Sequence, residues 1–275
     1  MTYLDELLAG AHRRVATARG HEPLEHLQAR AADSPPPPPF REALRGPGVA
    51  VIAEIKRASP SRGDLAPAIN APELARAYTD GGAAAVSVLT EPDRFKGALT
   101  DLVDVAALGI AALRKDFVVD PYQVWEARAA GAAAVLLIAA AVDERTLAML
   151  HDEAHQAGID VLVEVHDDSE VALLHRIGAN LAGINSRDLR TFAVDRDAFA
   201  RLRPLLPEDA VAVAESGISG PDDVALARER GADAVLVGES LVTSDDPAGA
   251  VAVLVEAGQD GQARHAGHEP TTESP

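Results

Sequence analysis

The sequence contains no cysteine, which excludes disulfides, thiolate metal sites and a cysteine nucleophile. Aromatic residues make up only 3% of it. The core must therefore be built from Ala, Val, Leu and Ile. That composition suits helices packed on a parallel sheet whose strands are buried on both faces. Basic residues are scarce: 25 Lys and Arg stand against 43 Asp and Glu, a formal net charge of −18. Nucleic acid and anionic membrane surfaces need a basic face, so neither is an expected partner. A small anionic ligand stays open, since a few local cations can hold one. The apolar runs are short and interrupted, so no membrane span is expected. Residues 1–10 carry Asp5 and Glu6 where a signal peptide would have a basic start and an apolar stretch. A cytoplasmic location is the expectation.

What is present is enough apolar material, 47% of 275 residues, for one large domain or two small ones. Near the start, Leu4, Leu7, Leu8 and His12 have helical spacing, and a second helix is expected over 23–32. Five prolines come next, Pro35 to Pro39, and forbid a regular helix or central strand. Residues 34–40 read as an extended connector, with a proline-recognition ligand as the alternative. From 258 to 275 the chain is rich in Gly, His, Glu and Pro without periodicity, and a disordered tail is expected. His265 and His268 in it are weak evidence for metal binding.

Between these ends a pattern repeats. Apolar runs at 49–55, 84–89, 110–113, 133–138, 160–165, 181–184, 210–214 and 234–237 each fit a buried parallel strand. Helical segments separate them, at 72–80, 121–130, 143–157, 169–177 and 221–230. Four units carry Gly-Ala before the next strand, beginning at Gly82, Gly131, Gly178 and Gly231, where a left-handed glycine can stop a helix. Eight βα units predict an α/β protein, a closed (β/α)8 TIM barrel with an extra N-terminal helical segment. Residues 1–257 are expected to form a single domain. A doubly wound open sheet is the alternative, but no Gly-rich turn comes after the first strand.

A barrel of this kind works at the C-terminal ends of its strands. Charged and amide groups gather there: Glu54 and Lys56, Glu91, Arg114 to Asp116, Glu164 and His166, Asn185 and Arg187, Glu215 and Ser216, then Gly238 to Ser240. Residues two apart on a strand face the same way, so Glu54 and Lys56 point together into the mouth. A structural ion pair and a catalytic pair are both consistent with that. Lysines and carboxylates converging in one cavity would shift each other's pKa and supply an acid and a base near neutral pH. Gly217 and Gly238 are either turn glycines or places where backbone N–H groups meet a phosphate. No metal site is expected. His166 is the only histidine at a strand exit, and His151, His155 and His175 fall on helical segments.

Several segments resemble a known family. These are Ala53-Glu54-Ile55-Lys56-Arg57-Ala58-Ser59-Pro60-Ser61-Arg62-Gly63, Ser87-Val88-Leu89-Thr90-Glu91 with Phe95 and Gly97, and Leu113-Arg114-Lys115-Asp116-Phe117. Leu162-Val163-Glu164-Val165-His166, Gly183-Ile184-Asn185-Ser186-Arg187-Asp188-Leu189 and Ala214-Glu215-Ser216-Gly217-Ile218 come after them in order. Together they resemble the indole-3-glycerol-phosphate synthases, from the N-terminal helix to about residue 255. The resemblance implies a cofactor-free lyase of tryptophan biosynthesis. Its substrate would be a small phosphorylated anion, 1-(2-carboxyphenylamino)-1-deoxyribulose 5-phosphate. It implies Lys115 as general acid at ring closure, Glu164 as the acid or base in dehydration, and Lys56 as an ammonium that binds the anionic substrate and shares the proton traffic, either lysine being able to donate. Glu54 and Asn185 would orient these groups, and Ser216 and Glu215 would line the floor. Gly217, Gly238 and Ser240 would meet the phosphate, Ser59 and Arg187 the carboxylate, with Phe95 and Phe117 also lining the substrate site. Ala111-Ala112, Asp64 and Ala139-Ala140 depart from the family's usual residues without removing a catalytic group. A sugar-phosphate isomerase and a non-catalytic binding barrel are the competing readings. A monomer is the working expectation.

Overall fold

In a computed structural model, which describes residues 3–188 and 191–259, the eight apolar runs form eight parallel strands. They are β1 (Ala50–Ile55), β2 (Ala85–Leu89), β3 (Ala112–Lys115), β4 (Ala134–Ile138), β5 (Asp160–Val165), β6 (Leu181–Asn185), β7 (Val211–Glu215) and β8 (Ala234–Val237). Each pairs with its neighbours in chain order, and β8 pairs with β1 to close the barrel. The third strand begins and ends two residues later than its apolar pattern suggests. Arg114 and Lys115 belong to it because each charge has a partner on its own side of the sheet. Arg114 points outward, donating to the Gln123 carbonyl at 2.8 Å and pairing with Glu126 at 2.7 Å.

Alternation along the strands creates two cores. Outward residues such as Val51, Ala53, Val86, Val88, Val163 and Val235 pack under the helices. Inward residues such as Ile52, Leu113, Leu136, Leu162, Val213 and Leu236 fill the barrel. Above that apolar filling the inward positions turn polar, with Glu54, Lys115, Glu164, Asn185 and Glu215 at the strand ends. The four Gly-Ala stops behave as expected: Gly82, Gly131, Gly178 and Gly231 all have positive φ.

Many acidic residues sit where helices begin. Asp120, Asp143, Asp167 and Asp246 each accept a backbone N–H as N-caps. These helix starts come after the strands, so part of the negative excess decorates the face that carries the mouth.

The N-terminal segment spans both ends of the barrel. On α1 (Tyr3–His21) the buried face is Leu4, Leu7, Ala11 and Val15; His12 is exposed, so the expected face is displaced by one position. Arg14 reaches from this helix to Asp116 at 3.1 Å and Glu91 at 3.5 Å, both beside the mouth. After α2 (Leu24–Asp33) the prolines run extended to α3 (Phe40–Ala43). Phe40 and Leu44 are buried among the inward core residues, and the Arg41 N–H donates to Asp160 at the start of β5. The connector therefore delivers a plug to the end of the barrel opposite the mouth.

At the C-terminus the expected tail begins too early. Gly258 ends the helix Pro247–Gly258, and its carbonyl accepts from Val49 N at 2.9 Å. A Cβ there would meet the Val49 carbonyl at 2.5 Å, so this glycine serves a close backbone approach. His265 and His268 lie outside the described residues. Among the described residues, no helix is long and apolar enough to cross a membrane.

His151, on the helix Glu144–Ala157, is buried with its ring 4.5 Å from that of His155. Burial, with His155 adding to it, lowers its pKa from 6.5 to about 4. Between those values the unfolded chain binds a proton that the native protein refuses, so this contribution to stability falls as pH falls. Replacing His151 by Phe should flatten the loss of melting temperature between pH 6.5 and 4. Parallel pH curves for the two proteins would show that His151 is not the group responsible.

Candidate active site

The strand ends enclose a cavity of about 630 Å³, in the range of small-molecule sites. All the residues that the family resemblance assigns to the site line it, whereas Glu91, Arg114 and His166 of the strand ends do not. Glu54 and Lys56 do point inward together, and their charges pair at 2.8 Å. Opposite them, the Lys115 ammonium is shared by two buried carboxylates. It lies 3.2 Å from Glu164 Oε2 and makes a very short contact with Glu215 Oε2. The Asn185 side-chain oxygen accepts the Arg187 N–H at 3.0 Å, which ties the end of β6 to the start of its loop.

Burial opposes ionisation of all three groups of the central cluster, and their mutual charges decide the outcome. For Lys115, Glu215, Glu164 and Glu54 outweigh burial and raise its pKa, so the ammonium is held charged. For Glu164, burial is outweighed by Lys115, His166 and Asn185, and its pKa falls. For Glu215, burial prevails over the nearby Lys115, with Glu164 and Glu54 adding repulsion, and its pKa rises to about 7. The site therefore holds a firm ammonium, a firm carboxylate and a second carboxyl that burial makes easier to protonate. Glu164 Oε1 and Glu215 Oε1 have no hydrogen-bond partner although buried.

One wall is apolar. Phe95 and Phe117 lie with ring centroids 6.4 Å apart, next to Leu89, Leu136 and Ile138. Glu91 shapes this wall from behind. Its buried carboxylate accepts from the backbone N–H groups of Asp93, Arg94 and Phe95 at 2.7 to 3.0 Å. It is thus a loop-holding residue and does not line the cavity. Thr90 and Arg114 likewise face away, in a network with Asp116.

The opposite corner is built from backbone. Ser216 has φ +64 and Gly217 φ +77, a conformation that costs a non-glycine residue roughly 1 kcal/mol or more. Gly238 precedes the short helix Glu239–Val242, and the Ser240 hydroxyl is buried there without a partner. A Cβ on Gly238 would meet Glu54 Oε1 at 2.5 Å, so that glycine makes room for the first ion pair. Ser59 lies buried in a hairpin of Ala58–Ser59 with Gly63–Asp64. That hairpin is fastened at both sides, by Arg62 to Glu239 at 2.6 Å and by Asp64 to Lys96 at 2.6 Å. The unusual Asp64 therefore has an ion-pair role. Ala139 and Ala140 form a 3-10 turn outside the cavity lining.

Sequence reasoning missed Phe192 and gave Arg62 no role, yet both line the cavity, as does Glu239 of the last strand exit. Phe192 has φ +60, accepts from Arg187 Nη1 at 3.1 Å and packs edge-on against Tyr3 of α1. No local pattern marked it, because it lies in the irregular segment after β6. Arg62 was legible only as part of a motif.

A sequence model of the indole-3-glycerol phosphate synthases matches residues 4–254. The chain belongs to the indole-3-glycerol phosphate synthase family. An indole-3-glycerol phosphate synthase of a Nocardioides species is 53% identical over 91% of this chain and 97% of its own length. That of Mycobacterium ulcerans is 51% identical over 94% of this chain and 95% of its own. Among solved structures, 3-hexulose-6-phosphate synthase from Salmonella typhimurium is similar with a TM-score of 0.63 and 18% identity. It covers 76% of this chain and 98% of its own. That likeness speaks to the barrel alone. Family membership gives the cavity's mixture of cations, carboxylates and an aromatic wall a common purpose.

Proposed function

We propose that this cavity closes the indole ring of indole-3-glycerol phosphate, with Lys115 as the acid that starts the reaction. The substrate is 1-(2-carboxyphenylamino)-1-deoxy-D-ribulose 5-phosphate, and CO2 and water are lost. The observation that carries the reading is the Lys115 ammonium, fixed between Glu164 and Glu215 at the floor of a cavity with one aromatic wall.

The reaction makes three demands. The flat carboxyphenyl ring must lie against the ketone, and Phe95 and Phe117 offer the wall for it. Lys56, Arg187 and Ser59 would hold its carboxylate, while Gly217, Gly238 and the unpartnered Ser240 hydroxyl would take the phosphate. As the ring carbon attacks the ketone, the oxygen acquires charge and takes a proton from Lys115. Loss of CO2 then restores the aromatic ring. In the second stage the new hydroxyl leaves with a proton as water, and the neighbouring methylene gives up a proton to form the indole double bond. Glu164 is the proton partner at this stage. Glu54 and Asn185 orient the two ammonium groups and the sugar hydroxyls, and Glu215 and Ser216 complete the floor. No cofactor is called on.

This reading carries with it a single folding unit that takes in the N-terminal helix, the proline connector and the last helix through Gly258, a cytoplasmic location and a monomer. Indole fluorescence should rise when the purified protein meets the substrate, with one CO2 released per indole. Folded protein that yields neither would overturn the assignment. Binding of a substrate analogue without turnover would point to the non-catalytic barrel.

A further inference from the structure

His166 is not among the cavity-lining residues, yet it stands directly behind Glu164. The local sequence puts it there. Asp167 is the N-cap of the helix Asp168–Ile177, and Glu170 lies three residues on, the spacing of a capping box. In the usual box the Glu side chain reaches back to the N-cap N–H. Here Glu170 Oε2 reaches one residue further and accepts from the His166 backbone N–H at 2.7 Å. The same oxygen lies 3.1 Å from His166 Nδ1. With Nδ1 directed to Glu170, Nε2 faces Glu164 Oε1 at 3.4 Å. Nε2 and Oε1 are each buried and have no other hydrogen-bond partner. Two orphaned polar atoms of opposite character face each other across a gap that a small movement closes.

We propose that His166 is a positioning residue for Glu164: from behind, its Nε2 fixes Oε1, so that Oε2 stays on the Lys115 ammonium and Glu164 enters each turnover as a carboxylate. The inference rests on the reading of Glu164 as the proton partner in dehydration. It adds to that reading a direction, because a carboxylate must take up a proton before it can give one.

The surrounding charges support this. Glu164 is faced by Lys115 of β3, Glu215 of β7, Asn185 of β6 and, beyond Lys115, the Glu54–Lys56 pair of β1. His166 is faced by Glu164, by Glu170 and by Asp167 of the cap. Burial alone would strip the imidazole of its proton, but the two glutamates outweigh burial and raise its pKa to about 10. The ring is then an imidazolium at neutral pH, and both of its nitrogens donate. Glu215 repels Glu164, so the cation behind it offsets a like charge in front.

The test is the pH dependence of turnover in the full chain. His166→Phe removes the cation, and the acidic limb of the kcat profile should move up by about one pH unit or more, the usual effect of a close opposite charge. At neutral pH kcat should fall about tenfold while KM changes little. His166→Gln, which keeps an N–H toward Glu164 without the charge, should recover part of the rate and little of the limb. Glu170→Gln, which touches His166 and lies away from the cavity, should shift the limb in the same direction by less. An acidic limb and a kcat in His166→Phe equal to wild type would overturn the proposal. Independently of any variant's folding, ¹⁵N-histidine NMR of the wild-type protein should show His166 as an imidazolium at pH 8, and a neutral ring there would also overturn it. Glu164→Gln separates the two ideas. If it is fully active, the role of Glu164 itself fails; if it is inactive while the His166 variants match wild type, only the inference about His166 fails.

Discussion

Lys115→Met should lower kcat by about three orders of magnitude, within the range for loss of a positioned general acid, while the barrel stays folded. The structural reason for choosing Met lies in the two carboxylates on the ammonium. Removing one member of a buried ion pair is usually costly, because the remaining charge stays buried. Here the remaining groups can neutralise themselves. Burial already lifts the pKa of Glu215, and Lys115 only partly opposes. Without the lysine it takes up a proton at neutral pH and can face Glu164 as a neutral acid. The long apolar chain of Met fills the space that Lys115 leaves beside the neighbouring strand, where Leu89 stands in register with it, whereas Ala would leave a cavity. The melting temperature of the variant should therefore lie within a few degrees of wild type at pH 6. It should then fall more steeply as pH rises. A carboxyl whose folded pKa lies above its unfolded value stabilises the fold at low pH and loses that contribution as pH rises through the folded value. Turnover is measured by indole fluorescence and stability by circular dichroism. If kcat stays within tenfold of wild type, about 1.4 kcal/mol of barrier, Lys115 is not the acid.

The barrel was readable because its strands are buried on both faces and so stand out as apolar runs between polar helices. The reading failed at the edges of that logic. β3 carries Arg114 and Lys115 inside the strand, and a rule that looks for apolar residues stops short of them. Gly258 reads as the start of a tail because it shares the Gly-rich composition of residues 259–275, yet its place is fixed by contact with Val49, about two hundred residues earlier in the chain. The site was legible where alternation applied: Glu54 and Lys56 face the same way because a strand dictates it. It was not legible where a residue works by touching another residue distant in the chain. Glu91 and Glu164 are both strand-end carboxylates, but Glu91 turns back onto three backbone N–H groups while Glu164 enters the mouth. His166 looks like a lone histidine until the helix cap beside it is seen to aim it. Glycines gave the least away, since what they are needed for is an absence of atoms.

Gly183 shows how much such an absence can matter, and Gly183→Ala should cost about a hundredfold in kcat. The residue lies in β6 in register with Glu164 on one side and Val213 on the other. Its backbone needs no left-handed conformation, so a turn does not explain it. The explanation is the space above it. A Cβ at this position would lie 2.0 Å from Glu215 Oε1 and 3.1 Å from Glu215 Cδ, with Leu162 at 3.4 Å on the other side. The carboxylate that grips Lys115 occupies the room that any other side chain would take. One methyl group should therefore push Glu215 off the ammonium, loosen Lys115 and disturb the proton chemistry while leaving the phosphate corner intact. Overpacking of this kind costs stability by about 1–3 kcal/mol, so the decisive quantity is kcat measured on folded protein well below its melting temperature. KM should change far less than kcat. Shortening the displaced side chain should relieve the clash, so Gly183→Ala combined with Glu215→Asp should be more active than the two single effects multiplied together, as expected of residues in contact. Gly20→Ala, at a position with nothing within 4 Å of the new Cβ, serves as the matched control and should leave turnover unchanged. A Gly183→Ala protein with wild-type kcat would mean that Glu215 can hold Lys115 from another position, and that the tight geometry of this cluster is not what the reaction depends on.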